Sequence, residues 1–150
     1  MMILAPMAEL SHRALRHLIE DFNIDGAGRP DEYYTEMISA PALRAGGPFE
    51  KWYIDNGPCP ERLVFQLVGG EAEDLAAAAA ILDKIECKGI DINMGCAAPA
   101  ILRTGGGARW LEDADRAASM VAQVRRATGK QRLSVKMRLT ANHANHANWG

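Results

Sequence analysis

The chain has 150 residues, which is the size of one modest domain with its own core. Apolar residues make up 48% and charged residues 24%, an ordinary globular composition. The net charge of −2 gives no indication of binding to nucleic acid or to an anionic membrane through bulk charge. No apolar run approaches the ~20 residues of a membrane span, and residues 1–7 are too short and too poor in positive charge for a signal peptide.

Three cysteines stand far apart along the chain, at Cys59, Cys87 and Cys96. Their odd number and wide spacing match no disulfide framework and no metal-ligand pattern. A reducing cytoplasm is the simplest interpretation, and no metal site is predicted from them. Cys59 is interpreted as a loop residue and Cys87 as a packing residue near a helix end, whereas Cys96 follows a predicted strand.

Strand-like and helix-like stretches alternate along the chain. The strand stretches are rich in β-branched or apolar residues, and the helical stretches carry apolar residues at helical spacing. In chain order, the predicted elements are a strand over 2–6, a helix over 12–22, strands over 33–39 and 62–68, a helix over 71–85, a strand over 89–94, a helix over 111–128 and a strand over 133–139. The Pro- and Gly-rich residues 41–60 are predicted to form a long connection with a short helix.

Two details of the helices are predicted from local chemistry. Ser11 is a suitable N-cap for the first helix. Gly129 is placed to follow the last turn of the last helix. The apolar face of that last helix is predicted to consist of Leu111, Ala114, Ala118, Val121 and Val124.

The alternation of strands and helices implies parallel strands joined by crossover helices. A five-stranded doubly wound sheet of flavodoxin type suits 150 residues better, because a complete TIM barrel typically needs ~250. The motifs at the strand ends favour the barrel. The predicted fold is therefore α/β, a (β/α)8 TIM barrel truncated after about the fifth strand. Residues 1–140 would form the N-terminal part of the barrel domain, and residues 141–150 a loop after strand five.

The tail repeats Ala-Asn-His at residues 141–143 and 144–146 and has neither helical nor strand periodicity. A loop is the favoured interpretation of this segment. Metal binding by His143 and His146 is the less favoured alternative.

In parallel α/β folds, ligands bind at the carboxyl ends of the strands. Chemically suitable residues stand toward the ends of all five predicted strands: Pro6, Met7 and Ala8, then Glu36 and Ser39, then Gln66, then Asn93 and Cys96, then Lys136 and Arg138. Amide side chains can pair with carbonyl and imide edges, and a lysine can stabilise a ring that becomes anionic on reduction. The set favours a site for a planar heterocycle.

These residues also have structural alternatives. Gln66 would satisfy a neighbouring backbone group, Lys136 would be the solvent-facing member of an alternating strand, and Cys96 would be a small buried hydrophobic residue. The position of Cys96 between a strand end and the glycine run 105–107 favours a functional thiol. The glycine run itself either cradles a phosphate or only permits close backbone approach.

Six short strings resemble the tRNA-dihydrouridine synthases, in the order of that family and at suitable separations over residues 2–139. The strings are Ala5-Pro6-Met7, Thr35-Glu36-Met37-Ile38-Ser39, Gln66-Leu67, Asp91-Ile92-Asn93-Met94-Gly95-Cys96, Gly105-Gly106-Gly107-Ala108 and Ser134-Val135-Lys136-Met137-Arg138-Leu139. The second and fourth strings are specific to the family.

The resemblance implies a cytoplasmic flavin enzyme on a TIM barrel, which uses FMN and NADPH to reduce the C5–C6 bond of a uridine in tRNA. By matching motif, the residues that contact the flavin would be Pro6, Met7, Ala8, Gln66 and Lys136. Asn93 would contact the flipped uracil, and Cys96 would be the proton donor. Hydride would pass from flavin N5 to uracil C6. The thiol, which must remain protonated to act as an acid, would protonate C5.

The chain departs from the family pattern in three ways. The family usually has proline directly after the cysteine, whereas Ala97 and Ala98 intervene before Pro99 here, which predicts a different path for this loop. The family commonly has glycine where this chain has Thr140. The C-terminal half-barrel and helical tRNA-binding domain that the resemblance implies are absent from these 150 residues, so the chain alone is predicted to bind FMN weakly and to have little or no activity.

Two other functions fit the residues. One is a different flavin-dependent TIM-barrel oxidoreductase that acts on a free pyrimidine, such as a dihydroorotate dehydrogenase-like enzyme, although the string from Asn93 to Cys96 argues against it. The other is a remnant that binds RNA or a partner without catalysis. Reduction of free uracil or orotate would support the first, and a yellow chromophore on the purified protein would count against the second.

Overall fold

The computed structural model of the chain describes residues 1–23, 28–47, 50–129 and 131–139. Strands and helices alternate through these residues. The strands are β1 (Ile3–Leu4), β2 (Glu32–Ser39), β3 (Leu63–Val68), β4 (Gly89–Met94) and β5 (Arg132–Met137). The α-helices are α1 (Arg13–Phe22), α2 (Ala40–Arg44), α3 (Glu50–Tyr53), α4 (Ala72–Leu82), α5 (Pro99–Arg103) and α6 (Ala114–Ala127), and 3₁₀ turns lie at Pro60–Arg62 and Gly107–Glu112.

The five strands form one parallel sheet in the sequential order β1-β2-β3-β4-β5. A doubly wound sheet of flavodoxin type reverses its strand order at a switch point, and the described strands contain no such reversal. Sequential order is the order of a (β/α)-barrel. The predicted barrel architecture is therefore confirmed over five consecutive strands, and the doubly wound alternative is wrong.

The alternation of side chains along the strands gives the sheet two faces of different chemistry. The outer face is apolar and packs against α2, α4 and α6, with the strand residues Tyr33, Ile38, Leu63, Phe65, Leu67, Ile90 and Ile92 in the core. The inner face carries polar residues in two hydrogen-bonded groups: Glu32 with Arg132, and a chain formed by Ser134, Asp91, Gln66 and Asn93. The hydrophobic core thus lies between the sheet and the helices, and the polar side chains lie on the opposite face of the sheet.

A bidentate ion pair spans the inner face and demonstrates its curvature. The two guanidinium nitrogens Nη1 and Nη2 of Arg132 in β5 each donate to one carboxylate oxygen of Glu32 in β2, both at 2.7 Å. Two strands, β3 and β4, lie between these residues in the sheet. In a flat sheet, strands three positions apart would be about 14 Å apart. The sheet therefore curls around its polar face, as a barrel wall does.

Replacing Glu32 with glutamine is expected to lower the free energy of unfolding by about 1–2 kcal/mol at neutral pH. The Glu32 carboxylate is 2% exposed and is also 3.1 Å from the Lys88 ammonium. The hydrogen bonds from Arg132 hold its pKa below the ordinary value of 4.5. A depressed carboxyl pKa stabilises the fold above that value, and the stabilisation is lost as pH falls through the folded-state pKa. Urea unfolding at several pH values should therefore show the wild-type advantage disappearing in acid.

The matched control is Glu61→Gln, because Glu61 pairs with Arg62 through a side chain that is 64% exposed. Such a surface pair contributes little, so the variant should stay within about 0.5 kcal/mol of the wild type at every pH. A gap between wild type and Glu32→Gln that is the same in acid and at neutral pH would contradict this role of the Glu32 charge.

Two predictions at the start of the chain are wrong in detail. The first strand covers only Ile3–Leu4, since Pro6 has no N–H for the ladder. The N-cap of α1 is His12, whose Nδ1 accepts the N–H of Leu15 at 3.3 Å. Ser11 instead bonds both the N–H and the carbonyl of Met7, so its hydroxyl closes the preceding turn.

The predicted face of the last helix is also partly wrong. The helix begins at Ala114, because residues 107–112 form a 3₁₀ turn, and Asp113 caps it. Its buried residues are Ala117, Met120 and Val124. Of the predicted face, Val124 is buried, whereas Ala114 and Ala118 are exposed.

Candidate active site

The structure brings three of the predicted site residues to one region of the inner face. Gln66 in β3 hydrogen-bonds Asn93 in β4, and Asn93 and Lys136 are register partners in adjacent strands. Their accessibility differs. Gln66 has no exposed surface and Asn93 is 7% exposed, whereas Lys136 is exposed.

A chain of hydrogen bonds links the polar side chains of β3, β4 and β5. The hydroxyl of Ser134 donates to Oδ1 of Asp91, and Nε2 of Gln66 donates to Oδ2, both at 2.7 Å. Nδ2 of Asn93 donates in turn to Oε1 of Gln66 at 3.0 Å. The alternative that Gln66 satisfies a neighbouring backbone group is wrong. Its side chain hydrogen-bonds two other side chains, those of Asp91 and Asn93.

The chain of hydrogen bonds ends on the backbone that carries the thiol. Oδ1 of Asn93 accepts the N–H groups of Gly95 at 3.0 Å and Cys96 at 2.8 Å. The carbonyl of Cys96 accepts the N–H of Ala108 at 2.9 Å. Both sides of Cys96 are therefore held, and its half-buried side chain stands at the carboxyl end of β4.

The glycine run permits close backbone approach, which confirms that alternative. A Cβ on Gly107 would lie 2.4 Å from the carbonyl oxygen of Cys96. Gly107 also has a φ of +58°, which residues other than glycine rarely adopt. A Cβ on Gly106 would lie 2.8 Å from the carbonyl oxygen of Gly69. These glycines thus bring the loop after α5 against both the Cys96 backbone and the loop after β3.

Two side chains that the sequence pattern did not single out hold the loop after β3. The indole N–H of Trp110 donates to the Gly69 carbonyl at 2.8 Å, and the Arg116 guanidinium donates to the Gly70 carbonyl at 2.7 Å. The Arg116 guanidinium also lies 4.0 Å from the centre of the Trp110 ring. The local sequence indicated this role only through the presence of a tryptophan in the segment after the glycine run.

Ala97 and Ala98 lie directly before the next helix. Pro99 opens α5, and Ala98 is its N-cap in an extended conformation. Proline is well suited to the first turn of a helix, because its missing N–H would have no intrahelical partner there. Gly95 to Ala98 therefore form the segment that links the end of β4 to α5 and carries the thiol.

The loop after β1 is shaped by β2 and by its own serine. Pro6 is half-buried, and Met7 and Ala8 are exposed. The Glu36 carboxylate accepts the N–H of Glu9, which has a φ of +64°. A register shift between Tyr34 and Met37 interrupts the pairing of β2 with β3 beside Glu36.

Burial has clear electrostatic consequences at Asp91. The side chain is 1% exposed, and burial raises the pKa of its carboxyl. The hydrogen bonds from Gln66 and Ser134 act in the opposite direction, as do the positive charges of Lys136 and Arg132. Asp91 and Ser134 were not among the predicted site residues, although both are polar and lie on the same face of the sheet as Gln66 and Asn93.

The other two cysteines lie away from this chain of hydrogen bonds. Burial raises the pKa of Cys59, which packs in the core, and raises the pKa of Cys87 to about 11. Within the described residues, no group of three or more His, Cys, Asp and Glu side chains is placed to hold a metal ion. His143 and His146 lie outside the described residues.

None of the helices in the described part of the chain is long and apolar enough to cross a membrane. The fold and the site define a segment of a parallel (β/α)-barrel with a polar inner face and, at a strand end, a cysteine whose backbone is held by hydrogen bonds. A sequence model of the family described as "Dihydrouridine synthase (Dus)" matches residues 3–149. The chain belongs to this dihydrouridine synthase family.

Individual relatives support the family assignment. The chain is 32% identical over 158 residues to "tRNA-dihydrouridine(16) synthase" of Cupriavidus necator, a match that covers 97% of this chain and 46% of the relative. It is 37% identical over 103 residues to "Probable tRNA-dihydrouridine synthase" of Aquifex aeolicus, covering 67% of this chain and 30% of the relative. A Helicobacter pylori protein of the same description is 26% identical over 139 residues, covering 92% and 40%. The chain thus spans less than half the length of these relatives.

Proposed function

We propose that the protein is a tRNA-dihydrouridine synthase, which reduces the C5–C6 bond of a uridine in tRNA with FMN as cofactor and NADPH as reductant. The observation that carries the proposal is the position of Cys96. Its backbone is held on both sides at the carboxyl end of β4, beside a polar inner face, in a chain of the dihydrouridine synthase family.

The donor set on the inner face suits a flavin ring. Lys136 offers an exposed ammonium that can stabilise negative charge on the ring, and Pro6 to Ala8 would line it. Gln66 would hydrogen-bond the ring through the second N–H of its amide, beyond the one given to Asp91. Because Gln66 has no exposed surface, that contact requires a shift of the atoms above it.

When bound, FMN reduced by NADPH supplies the hydride for C6 of the uracil. The chain's own residues would do the rest. The uridine must leave the tRNA stack to reach the strand ends, and the second N–H of Asn93 would bind an acceptor on the uracil edge. The Cys96 thiol would donate the proton to C5, a role for which a fixed backbone is an advantage.

The substrate determines the proposed cellular context. The enzyme would encounter its tRNA substrate in the cytoplasm. The free cysteines Cys59, Cys87 and Cys96 suit such a reducing compartment. Residues 1–150 would supply the inner face and the thiol. In the proposed arrangement, further barrel strands and a helical domain of the complete protein would supply the remaining flavin and tRNA contacts.

The test is the formation of dihydrouridine in tRNA by the complete protein that the gene encodes. We expect a yellow protein that converts a uridine to dihydrouridine in tRNA from a strain without dihydrouridine synthases, measured by mass spectrometry of nucleosides. Residues 1–150 alone, assayed in parallel, should bind FMN weakly and turn over little. Reduction of free uracil or orotate in place of tRNA, or a colourless protein that binds RNA without reducing it, would replace the proposal with one of the other two functions.

A further inference from the structure

The hydrogen-bond chain from Asp91 to Cys96 has only one workable direction. An amide side chain can turn over with little change of shape, so its partners decide its orientation. The Asp91 carboxylate only accepts, and Gln66 must therefore present Nε2 to it and Oε1 to Asn93. The backbone N–H groups of Gly95 and Cys96 only donate, and Asn93 must present Oδ1 to them.

We propose that Asp91 is a positioning residue for the Cys96 thiol, which it reaches through the amides of Gln66 and Asn93. This inference rests on the proposed function of Cys96 as proton donor. The Asp91 carboxylate fixes the Gln66 amide, the Gln66 amide fixes the Asn93 amide, and Asn93 holds the N–H of Cys96. Asn93 is then oriented for two tasks, because the same arrangement leaves one Nδ2 hydrogen for a ligand.

A purely structural role accounts poorly for a carboxylate at this place. Asp91 lies between Ile90 and Ile92 in a strand that is buried along its whole length. Burying an ionised carboxylate is costly, and apolar residues of similar volume often replace buried polar groups without loss of stability. What an apolar residue cannot do is accept from Nε2 of Gln66 and so hold the end of the chain opposite to the backbone N–H groups of Gly95 and Cys96. The charged group is thus explained by the bond with which it anchors the two amides.

Asp91→Ala in the complete protein is the first test. Without the carboxylate, the Gln66 amide loses its acceptor and holds Asn93 less firmly, so the Gly95 and Cys96 N–H groups lose their acceptor for part of the time. We expect faster hydrogen exchange in the peptide that covers residues 93–98, with exchange in the other strands unchanged. The kcat for dihydrouridine formation should fall roughly 10²-fold, as for a misplaced catalytic group, with KM for tRNA unchanged.

The conservative variant Asp91→Asn should recover most of both properties. Its Oδ1 can accept from Gln66 while its amide N–H faces the Ser134 hydroxyl, which can accept as well as donate. The direction of the chain is then preserved without a charge. The matched control is Asp74→Ala on α4, where the carboxylate pairs with Arg44 away from the inner face, and wild-type exchange and rate are expected.

A double variant separates positioning from folding. In Asp91→Leu with Gln66→Met, both partners of the first bond become apolar, which is less costly than removing one of them. The Ser134 hydroxyl and Nδ2 of Asn93 each lose one acceptor, so the circular dichroism spectrum is recorded to show that the fold persists. The proposal still requires fast exchange at residues 93–98, and exchange is the readout of this variant because Gln66 is itself a proposed flavin contact. Wild-type exchange in either Asp91→Ala or the double variant, or a wild-type kcat in Asp91→Ala, would overturn the proposal. If the wild type forms no dihydrouridine, the proposed function fails, and the exchange measurement still decides the positioning role.

Discussion

Replacing Cys96 with alanine is expected to lower the rate of dihydrouridine formation by about 10²–10⁴-fold, which is the contribution of general acid catalysis. The thiol is the proposed source of the C5 proton, and its backbone is held by Asn93 and Ala108 irrespective of the side chain. FMN binding should therefore persist, because Cys96 is not among the proposed flavin contacts. The measurement is a single-turnover assay by nucleoside mass spectrometry, with flavin content determined from its visible absorbance.

Cys87→Ala is the matched control for this prediction. Its thiol is half-buried and packs against the hydrophobic core, away from the hydrogen-bonded inner face, so it is not placed to give a proton to a substrate there. The control should react at the wild-type rate. Cys96→Ser, which keeps a hydroxyl of much lower acidity, should fall between wild type and Cys96→Ala. A wild-type rate in Cys96→Ala would remove the thiol from the reaction.

Much of the fold could be predicted because it depends on local patterns. The fourth strand was predicted over 89–94 and is observed at Gly89–Met94, with β-branched residues two apart and glycines at or just beyond its ends. Alternating strands and helices imply parallel crossovers, and the barrel was preferred over the doubly wound sheet on the strand-end motifs. The sequential strand order confirms that preference.

The remaining differences arise where contacts between distant residues override local propensity. His12 caps α1 because Ser11 is engaged by Met7, a choice that N-cap preference does not decide. The segment 107–112 is a 3₁₀ turn in which Trp110 is tied to the Gly69 carbonyl, 41 residues away in sequence. A periodicity argument carries no information on such a bond.

The candidate site was predictable in part for a similar reason. Gln66 and Asn93 stand out as amides inside apolar strands, and their strands were expected to be parallel neighbours. Asp91 and Ser134 have the same signal, since each lies an even number of residues from a site residue on its strand and so shares the inner face. The direct bond between Gln66 and Asn93 needed the register, which local sequence does not specify.

The loop after β3 and the glycine run 105–107, which follows α5, are interlocked next to Cys96. Gly69 and Gly70 lie against Gly105 and Gly106, and Gly107 lies against the Cys96 carbonyl. The contacts are between backbones, so any added carbon atom acts on the chain path itself. The position of Cys96 therefore depends on the absence of side chains at these glycines as much as on the hydrogen bonds of Asn93.

Replacing Gly70 with alanine is accordingly expected to have the largest effect on stability. Its Cβ would lie 1.7 Å from the carbonyl oxygen of Thr104, a distance that no rotamer change can relieve because both groups are fixed to the backbone. The loop after α5 must move away, which also strains the bond from Arg116 to the Gly70 carbonyl. We expect a loss of at least about 3 kcal/mol in the free energy of unfolding, measured by urea titration of the circular dichroism signal.

Gly69→Ala is the control that distinguishes this contact from a general intolerance of side chains in the loop. The neighbouring glycine is equally buried, but the atoms nearest to its Cβ would be the Ala40 methyl carbon at 3.2 Å and the Leu75 side chain at 3.5 Å. A shift of a few tenths of an ångström in Leu75 and in the short helix that carries Ala40 relieves these contacts, and the expected cost is about 1 kcal/mol. Equal losses in the two variants would contradict the interlocked arrangement. A large loss in Gly70→Ala alone would establish that the glycine-rich loop after α5, whose Gly107 contacts the Cys96 carbonyl, is positioned by direct backbone contact with the residues that follow β3.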